Sequence, residues 1–229
     1  SIPTIRKLDT LKLDPLKLDP KVTFFIGENG MGKSTLLEAA AVNFGFNPEG
    51  GSRNFRFSTY ASHSCLSGYL RLIKSIERPK DGYFFRAESF YNVATNIEEL
   101  DAQGGLGAPI SASYGGNLHE RSHGESFFAL LNSRLGGKGL YLFDEPEAAL
   151  SPLRQLAMLR RLKELTDHGS QCIIATHSPI LAAFPESTIY EFSGEGIRKK
   201  AYEETDLFRI TRDFLNRYPH MLSELFSEE

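Results

Sequence analysis

No tryptophan, only three methionines and only two cysteines occur in the 229 residues. Cys65 and Cys172 are too few for a disulfide framework and sit in no C-x-x-C spacing, which excludes a stapled secreted domain and leaves both as reduced, structural thiols. The six histidines form no mixed Cys/His array of the kind that marks structural zinc. Long apolar runs are missing too: none approaches the roughly 18 residues of a membrane helix. The start, SIPTIRKLDT, lacks the basic-then-apolar layout of a secretory leader, so a cytoplasmic location is expected. Neither charge dominates. Lys plus Arg is 26 against 29 Asp plus Glu, a net charge of −3, so the whole-chain field attracts neither nucleic acid nor anionic membrane, and any DNA contact needs a local patch.

What is present is ordinary globular material: 41% hydrophobic and 24% charged residues in a length that suits one large domain or two small ones. The first twenty residues repeat LKLDP at 11–15 and 16–20, a half-buried strand pattern punctuated by Asp-Pro turns, which predicts short edge strands in an antiparallel flap. VTFFI at 22–26 reads as a buried parallel strand, followed by a glycine-rich turn and a helix in STLLEAAAVNF. GFNPEGGSRNFRFST is turn-rich and irregular, and 64–76 can be read as strand or helix. A strand at 82–87, a helix at 89–100 and a glycine-rich loop at 101–117 come next.

Beyond residue 124 the alternation is regular: helix to 135, strand 139–143, helix 152–167, strand 171–175 and a short helix after Pro179. Strands follow at 187–192 and 197–202, and an amphipathic helical end is interrupted at Pro219. No second domain is visible.

Four segments carry chemistry. GENGMGKS at 27–34 fits G-x-x-x-x-G-K-[ST]. Gly27, Asn29, Gly30 and Gly32 let the backbone wrap a phosphate chain, Lys33 reaches the β- and γ-phosphates, Ser34 ligates Mg²⁺, and Thr35 opens the helix whose positive end faces the anion. YLFDEPE puts Asp144 and Glu145 at the carboxyl end of an apolar strand, where open α/β sheets bind ligands. Asp144 suits the Mg²⁺ shell, and Glu145 suits deprotonating an attacking water. IIATHSP ends a third strand at His177, an imidazole able to donate to the γ-phosphate. SHGES opens a helix with Ser122 and Gly124, by itself no more than an N-cap.

Taken in order, GENGMGKS, SHGE, YLFDEPEAALS and ATHS resemble the Walker A, signature, Walker B with D-loop, and H-loop of the ATP-binding-cassette (ABC) ATPases. DEPEAALSP and SHGE are more similar to soluble heads of the structural-maintenance-of-chromosomes (SMC) and recombination-repair ATPases, and to small stand-alone bacterial ATPases, than to transporter subunits. The signature is RSHGE rather than LSGGQ, no aromatic precedes Phe24 to stack an adenine, and the Q-loop glutamine is not evident, with Glu88 in RAES the substitute expected near the metal. Only 88 residues separate Lys33 from Ser122, too few for coiled-coil arms.

The fold class that follows is α/β, a P-loop NTPase with a largely parallel sheet flanked by helices, an N-terminal antiparallel β flap and a helical signature region. One domain over 1–229 is expected, with core sheet and P-loop in 1–60 and 139–202, a helical and signature lobe in 61–138, and terminal helices in 203–229. The resemblance implies ATP and Mg²⁺ as ligands. It also implies a homodimer in which Ser122 and Gly124 of one subunit cover the γ-phosphate bound at Lys33 of the other, and an unidentified protein partner. Glu145, His177 and Lys33 would be catalytic, and Ser34, Asp144 and Glu88 would hold the metal. Arg53 or Arg56 reaches phosphate or ribose in this reading, or is simply solvated. The expected function is nucleotide-gated dimerisation driven by ATP hydrolysis in a soluble system such as DNA handling or phage defence. The energising subunit of a membrane transporter is the alternative, and a small-molecule P-loop kinase and a non-hydrolysing adaptor are further ones.

Overall fold

The computed structural model describes residues 16–53, 65–76, 78–102, 109–116 and 123–227. Among the described residues, seven strands form one sheet in the order β2-β3-β4-β5-β1-β6-β7. They are β1 (Val22–Gly27), β2 (Gly51–Ser52), β3 (Asp81–Arg86), β4 (Gly139–Asp144), β5 (Gln171–Ala175), β6 (Thr188–Ser193) and β7 (Gly196–Lys200). The five central strands run parallel, and only the edges β2 and β7 pair antiparallel with their neighbours. All five carboxyl ends therefore lie along one rim. The P-loop leaves that rim after β1, which sits between β5 and β6.

The central strands are apolar on both faces because both are covered. Phe25, Phe84, Leu142 and Ile173 pack on one side against Leu36, Leu37 and Ala41 of helix α1 (Lys33–Phe44). Phe24, Phe85, Phe143 and Ile174 face the other way. There they meet α2 (Phe90–Ala102), α3 (His123–Ser133), α4 (Pro152–Asp167) and the short α5 (Pro179–Ala182). Phe127 of α3 is fully buried, its ring centroid 4.3 Å from Phe85 and 6.4 Å from Phe143, and so fastens the helix that follows the signature to the β3–β4 pair.

The strands and helices predicted from periodicity fall within a few residues of those observed, and four details differ. The second LKLDP, at 16–20, forms no strand. Asp19 Oδ1 instead accepts from the backbone N–H of Lys21 and Val22 at 2.8 and 3.4 Å, a local turn that feeds β1 and competes with ladder formation. The remainder of the expected flap, 1–15, lies outside the described residues. At 65–76 only a 3-10 turn forms, Cys65–Gly68, held as Asn43 of α1 donates to the Ser67 carbonyl at 2.9 Å. The last helix, α6 (Asp206–Phe226), departs from helical geometry at Arg217 rather than at Pro219, because a proline ring obstructs the turn that precedes it. The turn-rich stretch after α1 also hides the edge strand β2, too short for a periodic signal.

Helix α6 is anchored at its start only. Thr205 caps it by accepting from the N–H of Phe208 at 3.2 Å, and buried Glu191 accepts from Asp206 N–H at 2.9 Å. Beyond Phe208, whose ring packs on Tyr202 with centroids 4.8 Å apart, Ile210, Phe214, Leu215, Leu225 and Phe226 stand exposed. No helix among the described residues is long and apolar enough to cross a membrane.

Candidate nucleotide site

The turn from β1 into α1 is made by glycines in left-handed backbone: Gly27 (φ 131°), Gly30 (φ 76°) and Gly32 (φ 95°). At Gly27 a Cβ would fall 2.2 Å from the Phe192 carbonyl oxygen of β6, so only glycine lets the loop leave the sheet there. Asn29 and Gly30 form the exposed tip. Lys33 is buried, and its Nζ donates to the carbonyls of Gly27 and Glu28 at 2.8 and 2.9 Å, which holds the ammonium inside the loop's curve. Burial lowers its pKa, opposed by the nearby carboxylates of Glu145, Asp144 and Glu147. Ser34 and Thr35 occupy the first turn of α1, half-buried.

Asp144 ends β4 and is buried, its carboxyl raised to about 6 by desolvation against the lowering effect of the Ser34 hydroxyl and of Arg86. Its Oδ1 has no hydrogen-bond partner among the described residues. An orphaned carboxylate oxygen beside a serine hydroxyl is the donor set that Mg²⁺ takes, since this ion uses one or two protein oxygens and completes its shell with water and phosphate.

The raised carboxyl has a measurable consequence. Folded Asp144 binds its proton more tightly than unfolded Asp144, so the stability it contributes is complete below about pH 4 and lost as pH rises through about 6. Asp144→Asn should therefore gain on the ligand-free wild type by up to ~3 kcal/mol between those limits. Urea midpoints at pH 4 and pH 7.5 test this, and equal differences at both values would refute it.

Glu145 follows in left-handed backbone (φ 49°), an uncommon conformation for a non-glycine residue, with Pro146 fixing the next φ. Its N–H donates to the Ala175 carbonyl at 2.9 Å, tying the end of β4 to that of β5. Its side chain is 41% exposed, with Oε1 3.5 Å from His177 Nε2. Burial and the Lys33 charge lower the His177 pKa, so the imidazole is neutral at pH 7. Its backbone N–H donates to Glu147 Oε1 at 2.5 Å. Ser178 fixes the next turn by capping α5 and donating to Gln155 at 2.5 Å.

Lys33, Ser34, Asp144, Glu145 and His177 thus meet at three neighbouring strand ends, each coupled electrostatically or by contact to the others. Gly124 sits at the start of α3, where a Cβ would come 2.6 Å from the Ala149 carbonyl and 2.5 Å from Arg154 Nη1, so α3 touches the turn that follows β4 and Arg154 of α4. Ser122 lies outside the described residues. Glu88 is 87% exposed and 3.8 Å from Arg86 Nη2, with Arg86 between it and Asp144. The Arg53 guanidinium lies over the Phe46 ring at 5.4 Å, and Arg56 is outside the described residues. An H-E-R-S-H spacing at 119–123 overlaps the signature segment, and only its last residue, at the start of α3, is described.

Two residues of this site escape a reading of the motifs. Glu147 looks like a helix-capping acid in sequence, yet it holds the loop of His177. Arg86 looks like the polar end of a strand, yet sheet register places it opposite Asp144. Strand adjacency is the only signal for either, and linear spacing does not contain it.

Comparison with known proteins adds the following. A family model described as "AAA domain, putative AbiEii toxin, Type IV TA system" matches residues 126–183. The chain is 46% identical to Protein ea59 of Escherichia phage lambda over 59 residues, 25% of this chain and 11% of that one. It is 31% identical to a "Putative ABC transporter ATP-binding protein" of Methanothermobacter marburgensis over 117 residues, 48% of this chain and 42% of that one. It therefore spans about a tenth of the length of the first relative and less than half of the second. Among solved structures, the ATP-binding cassette MJ0796, dimeric in a post-hydrolysis state with ADP and Pi, has a TM-score of 0.49 at 17% identity, covering 83% of this chain and 89% of that one. With its glycine-rich loop between β1 and α1 and its largely parallel sheet, the chain has a P-loop NTPase fold, and its order of motifs resembles that of the ABC-type ATPases.

Proposed function

We propose that the protein hydrolyses ATP with Mg²⁺ and that two copies close on the nucleotide and reopen after hydrolysis. The observation that carries this reading is the convergence of Lys33, Asp144, Glu145 and His177 on the rim that the P-loop leaves. The amides of 27–34 and the start of α1 bind the triphosphate, and the Lys33 ammonium neutralises charge on its β- and γ-oxygens. Ser34 and Asp144 hold Mg²⁺, which when bound offsets the charge of the leaving diphosphate. Glu145 orients the attacking water and takes its proton, and neutral His177 donates a hydrogen bond to the γ-phosphate. Ser122 and Gly124 of a second copy cover that phosphate from outside, an isologous arrangement in which nucleotide state selects between two assemblies.

Lys33→Ala removes a charge-assisted contact and should weaken ATP binding by roughly 10–100-fold. Equilibrium binding of a fluorescent ATP analogue measures it, and wild-type affinity in the variant would defeat the site assignment. A soluble system related to phage or toxin function draws support from the description of the matching family model and from the phage relative. The energising subunit of a transporter draws comparable support from the archaeal relative. Co-purification with a membrane protein would favour the second reading over the first.

A further inference from the structure

We infer that Arg86 is the positioning residue for the metal end of this site, its charge drawing one oxygen of Asp144 towards it in an ion pair so that the other is presented to the cation of MgATP. The inference rests on the ATP-binding reading above. Arg86 ends β3 directly opposite Asp144 at the end of β4, and the N–H of Ala87 donates to the Asp144 carbonyl at 3.3 Å, so the two strand ends are joined in backbone as well. The guanidinium contacts several groups at once. Nη1 is 2.7 Å from Glu38 Oε2 and 3.0 Å from the Pro48 carbonyl, while Nε is 3.5 Å from Asp144 Oδ2.

The side chains of Glu38, Arg86 and Asp144 are 11, 18 and 7% exposed, so solvent screens the triad little. Glu38 lies four residues after Ser34 in α1, on the same helix face. A planar, forked cation can engage two carboxylates from different edges, which a lysine cannot do from one point. Arg86 therefore links the helix that carries Ser34 to the strand that carries Asp144, and sets the separation of the two metal-binding oxygens. Oδ2 faces the Arg86 charge across an ion pair in which Nε makes no hydrogen bond, and Oδ1 is also without a hydrogen-bond partner among the described residues. Such support of a metal ligand is worth roughly 10–100-fold in metal affinity.

The test is binding of a fluorescent ATP analogue, titrated with Mg²⁺ and repeated in EDTA, for the wild type, Arg86→Ala, Arg86→Lys and the double variant Arg86→Gln, Glu38→Gln. The Mg²⁺ concentration for half-maximal binding should rise roughly 10–100-fold in Arg86→Ala and in the double variant, and less in Arg86→Lys, while binding in EDTA stays at the wild-type level. Should Arg86→Ala fail to fold, the double variant, which removes both charges of the ion pair together, and Arg86→Lys carry the measurement. An unchanged Mg²⁺ requirement, or an equal loss of binding in EDTA, overturns the role of Arg86. A wild type that binds no nucleotide under either condition overturns the ATP-binding reading instead.

Discussion

Glu145→Gln is expected to lower ATP turnover by roughly 10²–10⁴-fold, the usual contribution of a positioned general base, while ATP still binds. The amide keeps the size and reach of the carboxylate, so the left-handed turn at Glu145 and its N–H bond to Ala175 persist. What is lost is the ability to accept a proton from water. The contact to His177 at 3.5 Å also changes character, because a carboxylate facing a neutral imidazole becomes an amide. With chemistry blocked and binding retained, the ATP state should accumulate, and with it the dimer. Phosphate release and size-exclusion chromatography with ATP measure the two halves separately. Turnover at the wild-type rate would remove Glu145 from the mechanism, and lost turnover without dimer would leave the hydrolytic role but end the gated-assembly one.

Phe127→Ala should destabilise the fold by about 3–5 kcal/mol. Phe127 is fully buried between Phe85 and Phe143, with the Phe128 ring a further 6.3 Å away, so truncation leaves a void that three rigid rings cannot collapse to fill. Urea unfolding is the measurement. Ile210→Ala on α6 is the matched control: its side chain is 66% exposed, and the change should stay within about 0.5 kcal/mol. The loss at Phe127 also bears on function, since this residue fixes the helix whose first turn, at Gly124, is packed against Ala149 and Arg154 beyond Walker B. A loosened α3 should impair ATP-driven dimerisation more than binding of ATP to one copy.

These residues show how unevenly the molecule is written in its sequence. Local chemistry was readable wherever it depends on neighbours along the chain. Gly27, Gly32, Lys33 and Ser34 act through a turn only a few residues long, so their spacing alone announces a phosphate loop, and the apolar runs of β1, β4 and β5 announce strands buried on both faces. Asp144, Glu145 and His177 were legible as polar residues ending such strands. The signature resemblance places Ser122 in a segment outside the described residues, and its role stays with the proposal.

Other features depend on which strands become neighbours. Arg86 and Asp144 are 58 positions apart, and only the pairing of β3 with β4 sets them face to face; Glu38 joins them because α1 covers that side of the sheet. Glu88, the acid expected to serve the metal, follows β3 in a turn that leaves it 87% exposed, with Arg86 reaching both it and Asp144. Likewise Glu147 reaches the backbone of His177 only because β4 and β5 are adjacent. Residue spacing along the chain determined the phosphate loop, the order of strands and helices and the acids and imidazole at the strand ends. Strand order and register, products of burying both faces of one sheet, decided which charges meet, and therefore that the Asp144 carboxylate lies beside the Arg86 guanidinium.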